Sequence, residues 1–164
     1  MINDWRKQWG YEFPFYFVEI APYDYENGLS AALRNAQYKS TATSKTGIVS
    51  TLDLGNSKNI HPANKMDVGK RLANLALGND YGVSGKLRSS KPIGIVQKGD
   101  KLIVAFDCQE GGRIFIKPNT NEIEISDDNI TYYPAKVLVN GCSIQVSSYK
   151  VPRPKYVRHA WCST

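Results

Sequence analysis

Residues Phe13-Pro14-Phe15-Tyr16-Phe17-Val18-Glu19-Ile20-Ala21 form a nearly continuous apolar and aromatic run. Such a run suits a strand buried on both faces, as in a parallel sheet. A helix is predicted over Leu29 to Lys39, where Leu29, Ala32, Leu33 and Ala36 recur at helical spacing. Gly47 to Leu54 reads as a second buried strand. After a loop from Gly55 to Ile60, His61-Pro62 opens another helix, with Pro62 in its first turn. Met66, Gly69, Leu72, Ala73, Ala76 and Leu77 line one face of that helix, and Gly78 offers a stop. Strand, helix, strand, helix is the order of an open α/β sheet. Two strands and two helices are too few to cover both faces and both edges of one. Strands from beyond these residues, or from another chain, are therefore expected to complete it.

The rhythm changes near Gly82-Val83-Ser84-Gly85. Ile93–Gln97 and Leu102–Asp107 flank Lys98-Gly99-Asp100, a hairpin signal. Lys136–Val139 and Cys142–Ser148 flank Asn140-Gly141, the dipeptide that best tolerates both positive φ angles of a type I′ turn. Val137, Val139, Ile144 and Val146 give the alternation of a half-buried antiparallel sheet. Arg113–Lys117, Ile123–Ser126 and Tyr156–Trp161 are weaker strand signals. The predicted organisation is an α/β piece over 1–85 followed by an antiparallel β domain over 86–164.

The net charge of +6 is uneven. The first 85 residues balance to +1, with nine Lys/Arg against eight Asp/Glu, and the rest to +5, with twelve against seven. The basic residues are scattered and no nucleic-acid motif accompanies them, so a solvated surface is expected rather than a nucleic-acid site. No window approaches the roughly 18 apolar residues of a membrane span, and no membrane partner is expected. Met1 to Lys7 lacks the apolar core of an export signal. Cys108, Cys142 and Cys162 contain no CxxC pair, which argues against a zinc site. Each lies in a strand-like run, and three buried thiols are the expectation.

His61 and His159 are the two imidazoles. His61 ends a loop after a buried strand and precedes a helix, where open α/β sheets place their ligands. Asp53 closes the preceding strand and is suited to orient that imidazole, the carboxylate's part in a nucleophilic triad. An equally economical reading makes Asp53 a loop cap and His61 a cap of the helix at Pro62. No Gly-x-Ser-x-Gly occurs. Ser30 is read as a helix-start residue, His159 as a strand residue beside Trp161, and Gly111-Gly112 as a loop or bulge.

Several segments together carry a resemblance. Asp4-Trp5-Arg6, Pro14-Phe15-Tyr16-Phe17-Val18-Glu19-Ile20-Ala21-Pro22 and Arg34-Asn35-Ala36-Gln37 are similar to blocks of the sialate O-acetylesterases. So are Thr51-Leu52-Asp53-Leu54-Gly55-Asn56, Ile60-His61-Pro62-Ala63-Asn64-Lys65 and Val68-Gly69-Lys70-Arg71-Leu72. Tyr133-Pro134-Ala135-Lys136 and Val157-Arg158-His159-Ala160-Trp161 resemble that family's terminal β region. The resemblance implies a partial SGNH-type (flavodoxin-like) parallel α/β sheet followed by a small antiparallel β-sandwich-like domain. It implies acetyl-ester hydrolysis by serine and histidine on O-acetylated sugars, sialic acids or related and xylan-like ones, with no cofactor and no metal. His61 takes the family's catalytic histidine position, and Asp53 matches an acidic position upstream. Lys58 stands three residues before the histidine, where such enzymes commonly carry aspartate. The serine block has no counterpart here, so the expectation is a C-terminal fragment, inactive alone, whose parents are often exported. The alternative is a non-enzymatic carbohydrate-binding or interaction module, with Tyr132, Tyr133, Tyr149 and Tyr156 available to stack on sugars. The incomplete sheet edge predicts a homo-oligomer.

Overall fold

A computed structural model describes residues 1–25, 29–85, 87–109, 112–116 and 122–162. The chain divides into two units, residues 1–88 with 162–164, and residues 89–161.

The first unit begins with a helix that the sequence reading passes over, α1 (Ile2–Trp9). The N-terminal ammonium meets Asp4 at 2.7 Å, and Gly10 ends the helix with a left-handed φ of 77°. Two short strands follow, β1 (Phe15–Val18) and β2 (Thr46–Val49), with α2 (Leu29–Lys39) and a 3₁₀ turn at Ser40–Ala42 between them. The strands pair in parallel, Phe15 opposite Thr46 and Val18 opposite Val49. β1 is half-buried throughout rather than enclosed on both faces. A two-stranded ribbon has too few neighbours to enclose it.

The last helix, α3 (Lys65–Asn79), packs on both strands. Gly47 makes this approach close. A methyl there would lie 2.9 Å from the Tyr16 ring and 3.3 Å from Leu75 of α3. α3 starts later than Pro62, because the Asn64 side chain accepts the Asp67 N–H at 3.1 Å and is the cap. It also continues through Gly78 to Asn79, since Asp80 and Tyr81 still donate to the Ala76 carbonyl.

Arg6 fastens α1 to the strands. It is 7% exposed, and its guanidinium donates to the carbonyls of Phe13, Ser44 and Lys45 at 2.8–3.3 Å. The start of β1 and the entry to β2 are thus held by one side chain. Cys162 returns to this unit, where its carbonyl accepts from Arg34 at 2.5 Å.

The second unit is antiparallel. β3 (Pro92–Lys98), β4 (Lys101–Phe106), β7 (Lys136–Asn140) and β8 (Ser143–Ser147) form a sheet of order β3-β4-β8-β7. β5 (Ile123–Ser126), β6 (Tyr133–Pro134) and β9 (Tyr156–His159) form a second, of order β6-β5-β9. Alternate residues of the two sheets meet, with Val151 from the chain after β8, in one buried cluster of Leu102, Val104, Ile123, Ile125, Ile144, Val146 and Val151. Among residues 113–116 no strand forms, contrary to the sequence signal, and Lys117 lies outside the described residues. Ile114 and Ile116 pack against the core from irregular chain instead.

Both hairpins turn on a glycine. In each, the first loop residue has positive φ, Gly99 at 62° and Gly141 at 60°, and the second, Asp100 or Cys142, does not. That is the II′ pattern, where I′ was expected at Asn140-Gly141, and Asn140 remains in its strand opposite Ser143. Cys142 has a reason to avoid a positive φ. Its carbonyl accepts the Phe106 N–H at 2.9 Å, and its sulfur is bonded to Cys108. This disulfide, with Cα atoms 5.8 Å apart, replaces the three thiols expected from sequence. Cysteines that are distant in sequence and in separate strand-like runs become neighbours when β4 and β8 pair. Cys162 is exposed and outside the bond.

Candidate active site

The carboxyl ends of parallel strands are where open α/β sheets bind ligands, and here the chain leaving β1 and the chain leaving β2 are tied together. Glu19 N–H donates to the Val49 carbonyl at 2.9 Å, carrying the parallel pairing one step further. The Glu19 carboxylate accepts from the Ser50 hydroxyl at 2.5 Å and from the Thr51 N–H at 3.3 Å. Thr51, wholly buried, returns a bond from its hydroxyl to the Glu19 carbonyl at 3.0 Å. Farther out, Asp24 N–H donates to the Ser57 carbonyl at 2.9 Å. Pro22 lies so close to Gly55 that a methyl on Gly55 would overlap the proline ring.

Asp53 sits in the turn after β2, with its side chain 64% exposed. Its two carboxylate oxygens accept from Arg71 of α3 at 2.7 and 2.6 Å, a bidentate fork. Arg71 also donates to the Ser50 carbonyl at 2.6 Å. The Arg71 guanidinium holds the Asp53 carboxyl below the usual carboxylate range, and the carboxylate raises Arg71 in return.

His61 is exposed at the end of the same loop, ahead of α3. Asparagines shape its approach. Asn56 accepts the Lys58 N–H through its side chain and the Asn59 N–H through its carbonyl, and Asn59 accepts the His61 N–H at 2.9 Å. Among the described residues, no hydrogen bond or ion pair joins Asp53 to His61. The structure therefore puts both residues on one loop and gives the carboxylate to Arg71.

Ser30 is buried in the first turn of α2. His159 ends β9, largely exposed, 3.4 Å from the Glu122 carboxylate in the other unit of the chain. The sequence reading misses three residues that organise the site: Arg71, Glu19 and Gln37. All three stand inside the resembling blocks, but nothing in their spacing shows a partner. Gln37 of α2 accepts the Ile20 N–H at 2.9 Å and donates to the Val18 carbonyl at 3.3 Å. It thereby occupies part of the β1 edge that the sequence reading leaves open.

No protein-family model and no curated relative matches the chain. Among solved structures, the carbohydrate acetylesterase XAC1771 from Xanthomonas citri matches 99% of it at a TM-score of 0.88 and 30% identity. The chain is similar to a carbohydrate acetylesterase. It spans 39% of that protein's length. At this identity and coverage of the chain, the likeness supports a carbohydrate esterase relationship for both units and for a mixed α/β architecture with antiparallel sheets.

Proposed function

We propose that this chain is the histidine-bearing part of a carbohydrate O-acetyl ester hydrolase, with sialic acids or related O-acetylated sugars as substrates. The observation that carries the proposal is His61, exposed on the loop beyond the carboxyl ends of β1 and β2, in a chain that is similar over nearly its whole length to a carbohydrate acetylesterase. In this reading the α/β unit is part of an SGNH-type sheet, and a serine from outside these residues is the nucleophile. His61 takes the hydroxyl proton as that serine attacks the acetyl carbonyl, then returns it to the departing sugar oxygen. Water repeats the exchange to release acetate. Asp53 supports His61 through the loop, because its carboxylate is committed to Arg71 and anchors the turn from which the loop departs. It is a positioning residue in this scheme. No cofactor enters.

Acetate release from an O-acetylated sugar tests the reading. The chain alone is expected to be inactive. Mixed with a serine-bearing N-terminal portion of such an esterase, it is expected to restore turnover, and H61A is expected to abolish it. Restored turnover that survives H61A overturns the assignment. A homo-oligomer through the α/β unit belongs to the same proposal, since the ribbon of β1 and β2 leaves Trp5, Trp9 and Tyr11 largely exposed beside it.

A further inference from the structure

The outer face of the sheet β6-β5-β9 carries a group of rings that the catalytic reading does not use. Along β9, Val157 packs against the core, so Tyr156 and Arg158 take the opposite face. Continued alternation would put residue 161 on the core side with Val157. Ala160 breaks the alternation. Its φ is 49°, in the left-handed region that a residue with a Cβ seldom enters, and its N–H is held by the Glu122 carbonyl at 2.8 Å. The kink brings the Trp161 ring to 5.7 Å from the Arg158 guanidinium carbon. Local strain of this kind commonly re-aims one side chain for use.

The surroundings are already ordered. Arg158 lies 3.8 Å over the Tyr132 ring and donates to Glu124, opposite it on β5, at 2.8 Å. The Tyr132 hydroxyl donates to Asn129 at 2.6 Å. Tyr156 and Trp161 flank Arg158 and remain 41% and 42% exposed. The Arg158 charge is matched by Glu124, so the patch does not select for an anion. Two accessible rings beside fixed, planar, hydrogen-bonding groups suit a ligand with apolar faces and polar rims.

We propose that this face is a carbohydrate-stacking platform for a neutral polysaccharide. Trp161 and Tyr156 pack against the C–H faces of pyranose rings, and Arg158, Glu124 and Asn129 meet their hydroxyls. Because the polar groups are held before the ligand arrives, little side-chain ordering opposes binding. The choice of a sugar as ligand rests on the carbohydrate-esterase reading. The platform would hold a polymer near the esterase of which this chain is part, without contributing to bond cleavage.

Native gel electrophoresis of the whole chain through acetylated xylan, and through the same xylan deacetylated by alkali, tests this. Retardation is expected in both, with W161A and Y156A each weakening the apparent affinity at least about fivefold. W161F is expected to keep most of the binding, and Y149A, on a fully exposed ring elsewhere in the unit, all of it. Far-UV circular dichroism checks each fold, and Y156A carries the test if W161A does not fold. Unretarded migration in both polymers overturns the proposal, as does binding that survives both substitutions. Retardation that needs the acetyl groups also overturns it, since the ligand would then be the ester. Failure of the esterase reading is distinguishable, because it appears as absent acetate release while polymer binding persists.

Discussion

Arg71 holds Asp53 by two hydrogen bonds of 2.7 and 2.6 Å and, through the same guanidinium, the Ser50 carbonyl at 2.6 Å. One side chain of α3 therefore fixes both the exit from β2 and the turn that follows. Replacement by methionine is expected to cost about 1 kcal/mol, a low figure because Asp53 is largely exposed and screened. Lysine, which cannot make the fork, should recover only part of it. The sharper readout is local. In R71M the His61 ring signals in the NMR spectrum should broaden while those of His159 stay unchanged, and equal behaviour of the two would separate Arg71 from the His61 loop.

Arg6 is the larger structural commitment. Its removal in R6A takes a donor from the carbonyls of Phe13 and Ser44 in a part-buried setting, while the Lys45 carbonyl keeps the Phe15 N–H. A loss of about 3 kcal/mol is expected. Urea unfolding followed by tryptophan fluorescence in a W161F background, where Trp5 and Trp9 report on this unit, measures it.

The disulfide makes the stability of the β unit depend on redox conditions. Cys108 and Cys142 enclose a separation of 34 residues, for which loop-closure entropy gives about 4 kcal/mol. Reduction, or the C108A/C142A pair, should lower the melting temperature of this unit and leave the α/β unit unchanged. Such bonds persist in oxidising compartments. Equal melting with and without reductant would remove the bond from the folding account.

Asp128 offers a test by acid. Its carboxylate accepts from the Ile130 and Thr131 N–H groups at 2.8 and 2.9 Å and from the Ser126 hydroxyl at 2.7 Å. These bonds, the Ile130 N–H foremost, lower its pKa from 3.8 to about 2. A depressed carboxyl stabilises the fold fully above its ordinary value, and that contribution disappears as the pH falls through the folded one. Between about pH 4 and about pH 2, wild type should therefore lose melting temperature faster than D128N, which keeps the turn's acceptor without the charge. Parallel curves would refute the assignment.

How much of this was legible in the sequence depends on whether the signal is local. Leu29–Lys39 and Ile123–Ser126 are found at their predicted bounds, because helical spacing and β-branched alternation are written in adjacent residues. β1 and β2 are shorter than their apolar runs. The ends of those runs, Glu19 to Ala21 and Ser50 to Leu54, lie in the chain that ties the loops together. α1 was hidden because its stability comes from Arg6 reaching carbonyls up to 39 residues away. The type I′ expectation at Asn140-Gly141 erred by one residue, since the partner that fixes Cys142 is distant in sequence. At the site, the loop leading to His61 was legible, but Asp53, expected to close the strand, lies in the turn after β2, and its partner was not legible. Arg71 is 18 residues on, and no periodicity points to it.

Gln37 changes what can join the first sheet. Its primary amide sets its carbonyl oxygen and one of its two N–H groups against β1, where a neighbouring strand would set an acceptor and a donor. Set against Val18 and Ile20, it behaves as a strand one residue long, supplied by a helix. A further strand, from a second copy or from another part of an esterase, must either evict that amide or pair with β1 nearer Phe15. A carboxylate at position 37 would keep the acceptor and lose the donor, turning the seal into a repulsion at the Val18 carbonyl. Along Val18 and Ile20 the sheet is thus bounded by the side chain of a single helical residue.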